Sequence, residues 1–111
     1  MLPRSLRVNT ALFKDIIEKG RFSNGKYFLF RYIKTAGTPR LAISVSKKVL
    51  KNAVDRNKIR RRLYSLVRNI IKPNLSAYNI IIFPKHGIDK LDLNQIITEL
   101  KSDFVKIGFL K

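Results

Sequence analysis

Between Ser46 and Leu63 the chain reads SKKVLKNAVDRNKIRRRL. Eight of its 24 Lys and Arg residues fall between Lys47 and Arg62, and Asp55 is the single acid among them. A helix loaded in this way repels itself at low ionic strength. A partner with dense negative charge removes that penalty. A nucleic-acid backbone supplies roughly one charge per ~1.7 Å of duplex axis.

The rest of the composition supports a folded, basic protein. The chain has 111 residues, 45% of them hydrophobic, and a net charge of +17. That length is read as one domain over residues 1–111. The hydrophobic content argues against a disordered basic tail. There are no cysteines, which removes disulfides, Cys-ligated zinc and thiol chemistry. His86 is the lone histidine, so a His-rich metal site is excluded as well. No run approaches the ~20 apolar residues of a membrane helix, and Met1–Arg7 lacks the apolar stretch of a secretory signal. A cytosolic protein with no membrane partner is expected.

Local patterns give an element order. Thr10–Lys19 is predicted to be a helix capped by Asn9 or Thr10, with Leu12, Phe13, Ile16 and Ile17 at helical spacing and Gly20 ending it. Arg21–Lys26 carries the Asn24-Gly25 turn signal and room for a short strand. Tyr27–Lys34 reads as a strand, Thr35–Pro39 as a hairpin loop, and Arg40–Ser46 as the next strand. In that strand Leu41, Ile43 and Val45 share one face, and Ala42, Ser44 and Ser46 the other. A long helix is predicted over Asn52–Lys72, with Ile59, Leu63, Leu66, Val67, Ile70 and Ile71 as its apolar stripe and Pro73 as its stop. Tyr78–Phe83 reads as a buried strand stopped by Pro84, and Gly87–Asp89 as a turn. Asp92 can cap a last helix to Lys106 whose core face is Leu93, Ile96, Ile97, Leu100 and Phe104. The order α–β–β–β–α–β–α predicts an α+β two-layer sandwich, one sheet with helices packed on it.

On the long helix, Asn57, Arg61, Tyr64 and Arg68 follow i, i+4, i+7, i+11 spacing and form a polar stripe. Arg56 and Arg60 are an i, i+4 pair at its edge, and Lys58 and Arg62 lie toward the far side. A guanidinium fork can grip a phosphate with two hydrogen bonds. Asn57 both donates and accepts, so it can fix a loop or read a base edge.

These residues resemble a family. AISVSKK (Ala42–Lys48) followed by AVDRNKIRRRL (Ala53–Leu63) is similar to the signature of bacterial ribonuclease P protein components. The likeness extends to the early helix with Phe13, the aromatic strand Tyr27–Ile33, the strand Asn79–Phe83 and the Lys85-His86-Gly87 turn. Ile17 stands where many members carry a second aromatic, and Arg60 where members often carry Lys. The resemblance implies a fold like domain 2 of ribosomal protein S5, with a left-handed β–α–β crossover. It implies a subunit that binds ribonuclease P RNA and the 5′ leader of precursor tRNA while the RNA carries the chemistry. Mg2+ would then be required by the RNA, with no cofactor or metal on the protein, and the protein would be a monomer in a 1:1 ribonucleoprotein. The expected RNA-subunit surface is Lys47, Lys48, Lys51, Arg56, Asn57, Arg60, Arg61, Arg62, Tyr64 and Arg68. The expected leader cleft is Phe13, Ile17, Tyr27, Leu29, Arg31, Ala42 and Ser44, under the N-terminal helix. Phe28, Phe30 and Tyr32 alternate with Tyr27, Leu29, Arg31 and Ile33, and are assigned to the core.

Two other classes stand beside that reading: a ribosomal or other structural RNA-binding protein, and a protein that is itself a nuclease. The seven acids Asp15, Glu18, Asp55, Asp89, Asp92, Glu99 and Asp103 form no cluster in sequence. That argues against the third class. Glu99 and Asp103 form an i, i+4 pair expected at the surface, and His86 is expected as a turn residue or phosphate contact.

Overall fold

The computed structural model describes residues 7–35, 40–71 and 78–108. Its elements are α1 (Thr10–Lys19), β1 (Arg21–Asn24), β2 (Phe28–Lys34), β3 (Leu41–Ile43), α2 (Ala53–Ile71), β4 (Tyr78–Pro84) and α3 (Leu93–Ile107). This is the predicted order.

The helix ends follow from local chemistry. Asn9 Oδ1 accepts from the Leu12 N–H at 2.8 Å and starts α1. Gly20 closes α1, its N–H donating to the Ile16 carbonyl at 2.8 Å. A Cβ at this position would lie 2.9 Å from the Tyr32 carbonyl oxygen, so β2 can come this close only to glycine. The Asp92–Gln95 pair forms a reciprocal capping box at the start of α3, and Gly108 closes it at φ 102°. The Pro73 stop and Lys72 lie outside the described residues.

The four strands form one sheet in the order β1-β2-β4-β3. β1 and β2 form the hairpin, with Arg21 opposite Tyr32 and Asn24 opposite Leu29, turning at the Asn24-Gly25 signal. The expected hairpin through Thr35–Pro39 does not form: β2 and β3 are separated by β4. Ala36–Pro39 themselves lie outside the described residues. The reason is burial. Ile80, Ile81 and Ile82 are all buried, so β4 needs cover on both faces and takes a central place. It runs antiparallel to β2 and parallel to β3. The parallel pair is joined through α2. β3 is also shorter than the predicted Arg40–Ser46, because the chain leaves the ladder after the Ser44 N–H bonds to the Ile82 carbonyl at 2.9 Å.

The two faces of the sheet bury different things. Phe28, Phe30, Leu41, Ile43, Ile80 and Ile82 pack with Ile59, Leu63 and Val67 of α2 and Ile96, Leu100 and Phe104 of α3. This is the main sandwich, and each such side chain contributes about 1.5–3 kcal/mol when fully buried. On the other face Leu29, Arg31, Ile81, Phe83 and Ala42 follow from the register. There α1 packs against β2 and β4 and buries Ile16 completely. Leu93, expected in the core, is 49% exposed. It lies in the first turn of α3, one turn before Ile96, the first residue of that helix to enter the core.

Asp103 also departs from expectation. It is 8% exposed, and its Oδ2 has no hydrogen-bond partner. A Cβ on Gly25 would lie 2.5 Å from that oxygen, so the β1–β2 turn rests directly on the carboxyl group. Lys85 Nζ holds the same turn through Asn24 Oδ1 and, at 2.7 Å, the Gly25 carbonyl. Burial raises the Asp103 pKa above its ordinary 3.8, and Glu99 adds to the rise against Lys106 and Lys85. The native state therefore holds its proton to higher pH than the unfolded chain does. The contribution to stability is full below the unfolded value and is lost as pH rises through the raised native one. Asp103→Asn is expected to remove this part of the pH dependence. Urea titrations of both proteins at pH 4 and pH 7 check it: the variant gains stability over wild type on going to pH 7, whereas parallel profiles contradict the assignment.

Candidate nucleic-acid interface

The basic tract folds as a tight turn feeding α2. The Ser46 carbonyl accepts the Val49 and Leu50 N–H groups at 3.0 and 3.1 Å, and Ser46 Oγ accepts the Lys48 N–H at 3.1 Å. Leu50 is buried beneath, which leaves Lys47, Lys48 and Lys51 exposed. Asn52 leads into the helix, its Oδ1 accepting the Val54 N–H at 2.9 Å.

Not every cation of the tract is equally available. Arg56 is half-buried, and its Nη1 donates to the Leu50 carbonyl at 2.9 Å and the Lys51 carbonyl at 2.8 Å. It ties the turn to α2, so one of its nitrogens is already committed. Asn57 Oδ1 accepts from Arg60 Nη2. In the structure that amide orients a neighbouring guanidinium. Arg61, Arg62, Lys58 and Arg68 are exposed. Lys58 and Arg62 line a surface pocket with Asp55 and Asp89, together with Leu50 and Ile59. Asp89, remote in sequence, offsets part of the charge there. Arg60 and Arg61 have no place in that acidic lining.

Tyr64, expected on the RNA surface, is turned toward the sheet. Its hydroxyl oxygen accepts the Ile43 N–H at 3.1 Å, and its ring packs against the core. β3 is an edge strand, paired with β4 on one side. An uncapped N–H on its outer side invites further pairing, and Tyr64 closes it. Arg7 bridges the same edge at Leu41. Tyr64→Phe is expected to destabilise the fold by about 1 kcal/mol and to leave RNA affinity unchanged. Denaturant melts and a binding titration on the same variant check both halves.

The α1 face assembles six of the seven expected cleft residues. Phe13, half-buried, meets Phe83 edge-on at 6.4 Å between ring centroids. Ile17 is 36% exposed. Its carbonyl accepts from Arg31 Nη1 at 2.9 Å, so Arg31 satisfies a carbonyl in the last turns of α1. Leu29, Ala42 and Ser44 are half-buried. Tyr27 does not join them. It precedes β2, packs against the core cluster, and lies beside Gly87. The sequence reading missed Phe83, which sits opposite Leu29, and Phe22, which sits opposite Arg31 and is 65% exposed. Period-two alternation along Tyr78–Phe83, applied as it was to β2, would have found Phe83.

The two surfaces lie on opposite sides of the sheet, α1 on one and α2 on the other. Among the described residues no three His, Asp or Glu side chains converge as metal ligands. Among the same residues no helix is long and apolar enough to cross a membrane.

A small α+β domain of one four-stranded sheet and three helices is the fold of known bacterial proteins. The family model for ribonuclease P matches residues 2–108. A ribonuclease P protein component from Haemophilus influenzae is 35% identical, covering 95% of this chain and 92% of its own. One from Citrifermentans bemidjiense is 43% identical over 74% of this chain and 70% of its own. The Staphylococcus aureus RNase P protein superposes with a TM-score of 0.78 at 30% identity, covering 93% of this chain and 94% of that one. The RNase P protein from Thermotoga maritima, at 22% identity and a TM-score of 0.76, shares the fold. The chain belongs to the ribonuclease P protein component family.

Proposed function

We propose that this chain binds the catalytic RNA of ribonuclease P through the start of α2, and holds the 5′ leader of precursor tRNA under α1. In doing so it assists endonucleolytic removal of the leader. The observation that carries the reading is the cationic face formed by exposed Lys47, Lys48, Lys51 and Arg61 with half-buried Arg60 beside them, together with family membership. Arg60 is held by Asn57, so less rotamer freedom is lost when it meets a phosphate.

The role follows from charge. A net +17 replaces counterions that a folded RNA and an RNA substrate otherwise need. The Mg2+ requirement of the RNA subunit should fall accordingly. In the cleft, Phe13 and Phe83 offer ring surface for bases and Leu29 an apolar floor. A base stacked on an aromatic is worth about 1–3 kcal/mol. Such contacts favour precursor over mature tRNA, which has no leader. The protein acts in the cytoplasm, as one copy on one RNA. Phosphodiester hydrolysis takes place on the RNA, with Mg2+ bound there.

Photocrosslinking from a leader-labelled precursor in the reconstituted holoenzyme tests the cleft. Labels are expected at Phe13, Leu29 and Phe83. Labels confined to α2 would contradict the assignment of the two surfaces.

A further inference from the structure

A second basic site lies at the end of the sheet remote from Phe13, Phe83 and the start of α2. Lys19 from the last turn of α1, Arg21 from the start of β1 and Lys34 from the end of β2 line one surface pocket of about 280 Å³, with Tyr32, Ile33 and Tyr78. No acid is among its lining residues. The register puts Arg21 opposite Tyr32 and Lys34 opposite Tyr78, so these four side chains share a sheet face. The two tyrosine rings meet edge to face, 5.7 Å between centroids, and fix each other. All three cations are exposed, and both rings are half-buried.

This arrangement is neither of the two surfaces described above. Phe28 and Lys34 are six residues apart on β2, or roughly 20 Å at about 3.3 Å per residue. Phe83 and Leu29 belong to the opposite end and the opposite face of the sheet. Three cations from three elements, gathered without a carboxylate, repel one another unless an anion sits among them. The tyrosines add ring surface and phenol groups beside the charge. The volume is near the lower end of the ~300–1,000 Å³ typical of small-ligand pockets, which suits one nucleotide unit rather than a stacked run.

We propose that the pocket between Lys19, Arg21 and Lys34 is a second RNA-binding subsite that takes one nucleotide of a single strand, its phosphate among the three cations and its base against the Tyr32–Tyr78 pair. The proposal rests on the reading of the chain as an RNA-binding subunit. The strand comes either from the precursor or from the RNA subunit, because both present the same phosphate chemistry.

The test is Arg21→Gln/Lys34→Gln in the full chain, with Lys90→Gln/Lys101→Gln as a control of equal charge loss on the α3 side. Affinity is followed against salt for ribonuclease P RNA alone, and for long-leader precursor tRNA on the reconstituted holoenzyme. If each pocket cation makes one single-strand phosphate contact, the log–log salt slope falls by about 1.4, and Kd at ~0.1 M salt rises roughly twentyfold. A loss on the RNA subunit alone assigns the strand to that RNA, and a loss on the long-leader precursor assigns it to the substrate. Slopes and affinities that match wild type on both RNAs, or that match the control pair, overturn the proposal. Arg60→Ala/Arg61→Ala, measured alongside, separates the two levels. If that pair loses affinity while the pocket pair does not, the subsite falls and the RNA-subunit reading stands. If neither pair loses affinity, both fall.

Discussion

Arg60→Ala/Arg61→Ala is expected to weaken binding to ribonuclease P RNA roughly thirtyfold at ~0.1 M salt, and to flatten the log–log salt slope by about 1.4–1.8. The fold should be unaffected. Arg61 is exposed, and Arg60 donates to Asn57 on the same helix rather than to another element. Arg56 is the wrong residue for this experiment. Its guanidinium supports the Leu50 and Lys51 carbonyls, so Arg56→Ala removes a loop brace together with any phosphate contact. A melt of Arg56→Ala should show a loss of about 1–3 kcal/mol, absent from the Arg60/Arg61 pair. Unchanged affinity and slope for that pair would remove the start of α2 from the RNA surface.

Phe30→Ala is expected to destabilise the protein by about 3–5 kcal/mol. Phe30 is fully buried at the centre of the main sandwich. Its ring lies 6.0 Å from Phe28 and 5.6 Å from Phe104, so it joins β2 to α3. Domains of this size are stable by only ~5–15 kcal/mol, and this chain carries a self-repelling +17. A lowering of the melting temperature by more than about 12 °C should follow. A loss under ~1 kcal/mol in urea would mean that the core closes over the gap, unlike most buried Phe sites.

The elements were legible because their signals are local. Asn9, Gly20, Asp92 and the apolar stripe of α2 each act within a few residues, and the structure agrees with the three caps and with the stripe from Ile59 to Ile70. Strand order was not legible from the hairpin signal. The Thr35–Pro39 composition suits a hairpin, but the doubly buried Ile80–Ile82 run outweighs it and places β4 between β2 and β3. That run contained the information, since a strand apolar on both faces belongs in the middle of a sheet. On the candidate surfaces, residue type indicated the chemistry while tertiary contacts decided its use. Arg56 and Tyr64 look like their neighbours on the helical wheel, yet one braces the preceding turn and the other caps an edge strand. Asp103 reads as a surface acid by its i, i+4 pairing with Glu99. Only the approach of the Gly25 turn, 78 positions earlier in the chain, buries it.

The most direct test of the account is cleavage of precursor tRNA at low Mg2+ by ribonuclease P RNA, by this protein, and by the two together. The account predicts 5′ maturation by the pair at Mg2+ concentrations where the RNA alone is slow, and no cleavage by the protein alone. It also predicts that Asp15→Asn, Glu18→Gln and Asp55→Asn leave holoenzyme turnover near wild type. Cutting at the mature 5′ end by RNA-free protein, or RNA activity indifferent to the protein at every Mg2+ concentration, would contradict it.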